Sequence, residues 1–139
     1  MSIPASLAAL VRQGAGGRCE YYGMCQSLQG ATFPIEHITP RTCGGTTEAG
    51  NLALACPSCN LYKADRSHVP DPETGALCVL YHPRREAWEI HFHWEGPVLM
   101  GLTPTGRATI AALDMNHPRR QRVRQAEAVF GLFPPPVRA

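Results

Sequence analysis

The 139-residue sequence predicts an α+β fold. Three observations carry that reading. Between Thr32 and Lys63 an alternating run, a Gly44-Gly45 turn, a short apolar run and a Pro57-led segment follow one another, which spells strand, loop, strand, helix. Trp88, Ile90, Phe92 and Trp94 alternate with Glu89, His91 and His93, the signature of a strand with one buried face. Thr103-Pro104 and His117-Pro118 each look like a helix start, with proline at the first helical position. Apolar residues at 44% against charged ones at 17% leave enough material for a modest core and exclude a disordered chain.

Taken in order, Pro4 to Gln13 predicts a short helix with Leu7, Leu10 and Val11 on one face and Gly14 as its end. In Thr32–Ile38, Phe33, Ile35 and His37 share one face and Glu36 and Ile38 the other. Glu36 and His37 can then serve one reaction only at the strand's end, where Pro40 and Gly44-Gly45 bend the chain. Leu52–Ala55 is the return strand, and Pro57 opens a helix through Asn60 and Lys63. His68–Gly75 reads as a loop, and Leu77–Tyr81, Trp88–Trp94 and Pro97–Leu102 as strands of a small antiparallel sheet. Two helices close the chain, one reaching Met115 and one reaching Phe130. On the second, Val123, Ala126 and Phe130 share a face, with Arg120 and Arg124 on the other.

The densest chemistry lies between residues 36 and 63. Glu36-His37, Asn51, Cys56-Pro57-Ser58-Cys59-Asn60 and Lys63 bring a carboxylate, an imidazole, two amides, two thiols and an amine into one short stretch. Each has a plain structural role: His37 a satisfied histidine, Asn51 a turn residue, Asn60 a helix decoration, Lys63 a solvated charge, Glu36 half of a salt bridge. Their order and spacing together resemble the HNH endonuclease family in its His-Asn-Asn form, from about Arg18 to Arg66. The resemblance implies a ββα-metal core. It implies His37 as general base, Glu36 and Asn60 as ligands of a catalytic Mg²⁺ or Mn²⁺, and Asn51 as the residue that holds the loop backbone and fixes His37. Lys63 would hold a phosphate or the helix end. Neutral imidazole suits the base near pH 7, and a hard divalent cation suits a carboxylate with an amide oxygen.

Family members with cysteine knuckles carry two Cys-x-x-Cys pairs. Here the second is Cys56-x-x-Cys59, but the first reads Cys19-Glu20-Tyr21-Tyr22, with Tyr22 where a thiol is expected. The expected structural Zn²⁺ site is therefore Cys19, Cys25, Cys56 and Cys59, with Cys25 swinging in from a wider loop. The alternative leaves Cys25 an ordinary thiol and the zinc with three protein ligands or absent. Cys43 and Cys78 have no partner at metal-like spacing. A metal shared by His91 and His93 at i, i+2 is conceivable, but no cysteine or carboxylate completes such a site by spacing, so a solvated face is the reading taken.

Net charge is only +2, and residues 18–66 hold four basic and four acidic side chains. Residues 117–139 hold five Arg against one Glu, so phosphate attraction is expected from that end, through Arg120 and Arg124, with Arg41 and Lys63 beside the motif. No apolar run approaches the ~20 residues of a membrane span. Ser2–Arg12 lacks a basic stretch before its apolar residues, so no secretory signal is read and the reducing cytoplasm is expected. The predicted division is a nuclease core with its N-terminal helix over 1–66 and a β-meander with helical extension packed on it over 67–139. The function this supports is a divalent-metal-dependent DNA endonuclease, with a nicking mode open to it. Its rivals are a non-cutting nucleic-acid-binding zinc module of the same descent and a zinc-stabilised protein-interaction domain.

Overall fold

The computed structural model describes residues 3–136. The chain divides into two compact units between Ser67 and His68. The first unit holds helix α1 (Ala5–Ala15), strands β1 (Ile35–His37) and β2 (Leu52–Leu54) and helix α2 (Pro57–Lys63). The second holds β3 (His68–Pro70), β4 (Leu77–Val79), α3 (Trp88–His91), β5 (Phe92–Glu95), β6 (Val98–Gly101), α4 (Pro104–Ala112) and α5 (Pro118–Val129). Helices and short antiparallel strand pairs in this order are an α+β arrangement with a ββα core, as the sequence predicts.

In the first unit β1 and β2 pair antiparallel with Ile35 opposite Leu54 and His37 opposite Leu52. Every residue of β2 is buried, and α1 packs on the hairpin through Val11. Arg12 fixes that packing by donating to the Phe33 carbonyl at 2.8 Å. Phe33, Leu52, Leu54, Met24 and Tyr21 form the core, and each large apolar side chain so buried contributes about 1.5–3 kcal/mol. Leu10, expected on the packed face of α1, is exposed instead. The helix runs past Gly14 and ends where Gly16 turns left-handed.

The second unit departs from the sequence reading in its strands. One three-stranded sheet was expected; two separate two-stranded hairpins are present, β3–β4 and β5–β6. His68–Pro70, expected as loop, pairs with Leu77–Val79 around a turn in which Asp71 accepts from Glu73 N and Thr74 Oγ1. Trp88–His91, expected as strand, forms one helical turn before the chain extends at Phe92. The reason is that Trp88 and Phe92 satisfy a helical i, i+4 spacing as well as an alternating one. Their rings lie 5.2 Å apart, and Ile90, which alternation would bury, is exposed. Helix α4 starts as expected, with Thr103 Oγ1 accepting from Gly106 N at 3.0 Å. It packs on both hairpins around Val69, Leu80 and Ala108. Gly106 is obligatory there, because a Cβ would sit 2.2 Å from the His91 carbonyl oxygen.

Candidate active site and thiol cluster

The segment between β1 and β2 is a closed loop, and Asn51 closes it. Its Oδ1 accepts from Thr39 N at 2.8 Å, and its Nδ2 donates to the carbonyls of Thr39 at 3.0 Å and Thr46 at 2.8 Å. One buried amide thus ties the loop's beginning to its far side. The chain passes so close at Gly45 that a Cβ would meet the Thr39 oxygen at 1.8 Å, while Gly44 takes φ 88°. The glycine pair read from the sequence as a turn is required by that approach.

His37 ends β1 at the mouth of this loop. Its Nε2 lies 2.8 Å from Thr47 Oγ1. Burial, reinforced by the cations Arg41 and Lys63, holds its pKa below the ordinary histidine value, favouring the neutral ring. Glu36 points into the protein, as strand alternation requires. Tyr21 Oη donates to Glu36 Oε1, and Lys63 Nζ lies 2.9 Å from Glu36 Oε2. Burial pushes the Glu36 carboxyl up, against the opposing pull of Lys63 and of the Tyr21 hydrogen bond. Burial, then Glu36, raises the Tyr21 phenol well above its usual range, which keeps it a donor.

Despite their opposite directions, Glu36 and His37 meet one cleft of about 280 Å³. It is lined by these two residues with Pro40, Arg41, Thr42, Asn60, Ala64 and Asp65. Asn60 enters it from α2, directly after Cys59. The cleft therefore offers an imidazole, two carboxylates and an amide around one space, with exposed Arg41 at its side. A carboxylate and an amide oxygen are donors that suit Mg²⁺ or Mn²⁺.

Three side chains here were not singled out from the sequence. Thr47 holds the His37 ring, Tyr21 holds the Glu36 carboxylate, and Asp65 adds a second acid to the cleft. Only the position of Thr47 just past the double glycine carried a signal. Tyr21 reaches Glu36, and Asp65 reaches the cleft, through folding alone.

Lys63 does not face phosphate. It is 1% exposed, and its ammonium donates to the His37 carbonyl at 2.9 Å besides pairing with Glu36. Arg120 and Arg124, expected to reach DNA, are likewise buried. Arg120 donates to the Leu113 carbonyl. Arg124 donates to the carbonyls of Pro97 and Met115 and lies 4.9 Å from the centre of the Trp94 ring. Both turn inward because helix and turn ends leave carbonyls unpaired, and a guanidinium satisfies several at once. His91, considered as a metal partner of His93, is held by Thr103 Oγ1 at 2.6 Å and Glu86 Oε2 at 2.8 Å.

Behind the cleft, the thiols of Cys19, Cys56 and Cys59 lie within 4.8 Å of one another, all buried. Cys56 caps α2, its Sγ accepting from Cys59 N at 3.4 Å. Burial, then its two thiol neighbours, raises the Cys19 pKa well above the usual range. The group can hold a metal ion. Cys25, expected as its fourth member, is not in it. Cys25 bridges antiparallel to Arg18, so its side chain follows that of Arg18 and leaves on the face opposite Cys19. Its Sγ lies 3.1 Å from Ser27 Oγ. Tyr22 reaches the cluster instead, with Oη 3.4 Å from Cys56 Sγ.

Comparison with known proteins agrees with this geometry. Residues 19–66 match a family model described as HNH endonuclease, which spans the thiol cluster, the loop and the cleft. A nuclease or nucleic-acid-binding function follows from that match. No curated protein and no solved structure matches the chain.

Proposed function

We propose that this chain, whose residues 19–66 match the HNH endonuclease family, is a divalent-metal-dependent DNA endonuclease. The observation that carries the reading is the convergence of Glu36, His37 and Asn60 on one cleft, although they leave a strand and a helix in different directions. Glu36 and Asn60 would hold Mg²⁺ or Mn²⁺, which when bound supplies charge stabilisation at the scissile phosphate and the leaving oxygen.

His37 is the general base. In the tautomer whose Nε2–H donates to Thr47 Oγ1, Nδ1 carries the lone pair that removes a proton from the attacking water. The water oxygen then bonds to phosphorus and the bond to the leaving sugar oxygen breaks. Asn51 holds the loop so that the imidazole keeps its place, and Lys63 fixes the same point from below through the His37 carbonyl. Tyr21 and Lys63 orient the Glu36 carboxylate. Each carboxylate oxygen has a second lone pair, so both contacts leave Glu36 able to bind a cation. Arg41, exposed at the cleft, would contact the substrate backbone. The Cys19, Cys56 and Cys59 thiols would hold a structural Zn²⁺, which would fix the start of α2 and hence Asn60.

One observation favours a second reading, a nucleic-acid-binding module that does not cut. Glu36 is already neutralised by Lys63, so the cation has a built-in competitor. Plasmid digestion with Mg²⁺ or Mn²⁺, beside His37→Ala, separates the two. Metal-dependent cutting that is lost in His37→Ala supports the endonuclease. DNA binding without cutting by the wild type, over a range of metals and DNA forms, establishes the second reading. Glu36→Gln should raise the Mg²⁺ concentration needed for half-maximal rate.

A further inference from the structure

We infer that Tyr22 supplies the fourth ligand of the thiol-cluster metal, making it a Cys₃Tyr site in which three thiolates and one phenolic oxygen surround a zinc-like ion. The inference rests on the reading of Cys19, Cys56 and Cys59 as a metal site and adds what completes it. Three features of the structure support it.

The first is distance. In a tetrahedron built from Zn–S of about 2.3 Å and Zn–O of about 2.0–2.2 Å, an oxygen and a sulfur are roughly 3.5 Å apart. Tyr22 Oη and Cys56 Sγ are 3.4 Å apart. The second is backbone. Gly23 N donates to the Cys19 carbonyl at 2.7 Å, Cys19 N donates to the Met24 carbonyl at 2.8 Å, and Gly23 takes φ 83°. The tight turn that follows Cys19 therefore aims the side chain three residues on, Tyr22, back at the cluster. On the other side Cys59 N donates to Cys56 Sγ, the kind of contact that stabilises a thiolate. The third is the fate of Cys25, which the Arg18 bridge turns away. Tyr22 itself is buried, so its hydroxyl is delivered to the thiols rather than to water.

Phenolate is a harder partner for zinc than a fourth thiolate is, and the phenol gives up its proton less readily than a thiol does, so the site should bind more weakly than a four-cysteine site, and its oxygen vertex should be the exchangeable one. Loading converts the phenol to phenolate with release of its proton to buffer.

The test uses the full chain, stripped of metal and titrated with Zn²⁺ or Co²⁺. Elemental analysis and the thiolate-to-cobalt absorption count the metal and its sulfurs. The ultraviolet difference spectrum reports tyrosinate. The expected result is one ion per chain, a four-coordinate cobalt spectrum with three sulfurs, and a tyrosinate band that disappears in Tyr22→Phe. That variant should bind at least tenfold more weakly, Tyr22→Cys more tightly, and Cys25→Ser like the wild type. One ion per chain with identical spectra and affinity in wild type and Tyr22→Phe would overturn the role of Tyr22 and leave the three-thiol site standing. No metal uptake, with three freely reactive thiols in the folded protein, would overturn both. Loss of a sulfur in Cys25→Ser would make Cys25 the fourth ligand after all.

Discussion

Lys63 Nζ lies 2.9 Å from Glu36 Oε2 with the two side chains only 1% and 8% exposed, so the base of the cleft is a buried ion pair. Removing one member of such a pair strands the other charge, which typically costs about 3–5 kcal/mol. Lys63→Met should therefore destabilise the first unit by about that amount in urea denaturation. The double variant with Glu36→Gln should recover part of the loss. Because the ammonium faces inward, Lys63→Met should leave the salt dependence of DNA binding unchanged in whatever protein remains folded. A shallower salt slope would return Lys63 to the phosphate-binding surface.

His37 must be neutral to accept a proton. Its pKa is held below the ordinary value by burial and by the cations beside it, so the neutral form persists to lower pH than in a free histidine. The rate of cleavage should rise with pH through that lowered pKa and be level at pH 7. His37→Ala should lose about 10²–10⁴ in rate while keeping its fold. Thr47→Val removes the partner of Nε2 and should lower the rate while leaving the Mg²⁺ requirement in place. Single-turnover rates across pH check both. A level profile that falls off only above pH 7 would remove His37 as the base.

Arg124 belongs to the core of the second unit. Its guanidinium serves the carbonyls of Pro97 and Met115 and stacks against Trp94. Hydrogen bonds to a charged group contribute about 1.5–3 kcal/mol each, so Arg124→Ala should cost about 3 kcal/mol or more in stability. Calorimetry should show the loss in the unit that holds α5. If Arg124→Ala instead keeps its melting temperature and binds DNA with a reduced salt slope, the helix faces nucleic acid.

Asp71 and Arg107 supply the acid sensitivity of the same unit. Arg107 grips the carboxylate with Nε at 3.0 Å and Nη2 at 2.8 Å, and Asp71 is fully buried. These bonds hold the Asp71 carboxyl far below its usual range, outweighing the opposing effect of burial. A depressed folded pKa means stability that is fully present above the unfolded value, about 3.9, and lost as pH falls through it toward the folded value. Asp71→Asn should be less stable than wild type at pH 7, with the gap closing as pH drops below about 4. A gap that stays constant with pH would mean that the pair contributes nothing through ionisation.

The sequence by itself determined the arrangement of the first unit. The Gly44-Gly45 turn, Asn51 and the Pro57 helix start depend on local backbone chemistry, and local chemistry is written in short stretches of residues. That Glu36, His37 and Asn60 lie near one another was legible for the same reason, since these residues hang from those elements. The tertiary structure alone decided which charged groups face inward. Nothing in the spacing of Lys63, Arg120 and Arg124 distinguishes a phosphate contact from a buried carbonyl clamp. The choice depends on unpaired acceptors brought near from distant positions: Glu36 for Lys63, Leu113 for Arg120, Pro97 and Met115 for Arg124. The strand at Trp88 was misread because one aromatic pattern fits two periods, and packing between Trp88 and Phe92 chooses. Cys25 likewise lies outside the thiol cluster, beside which Tyr22 stands, because side-chain direction follows from the bridge to Arg18, a contact between residues that no motif joins.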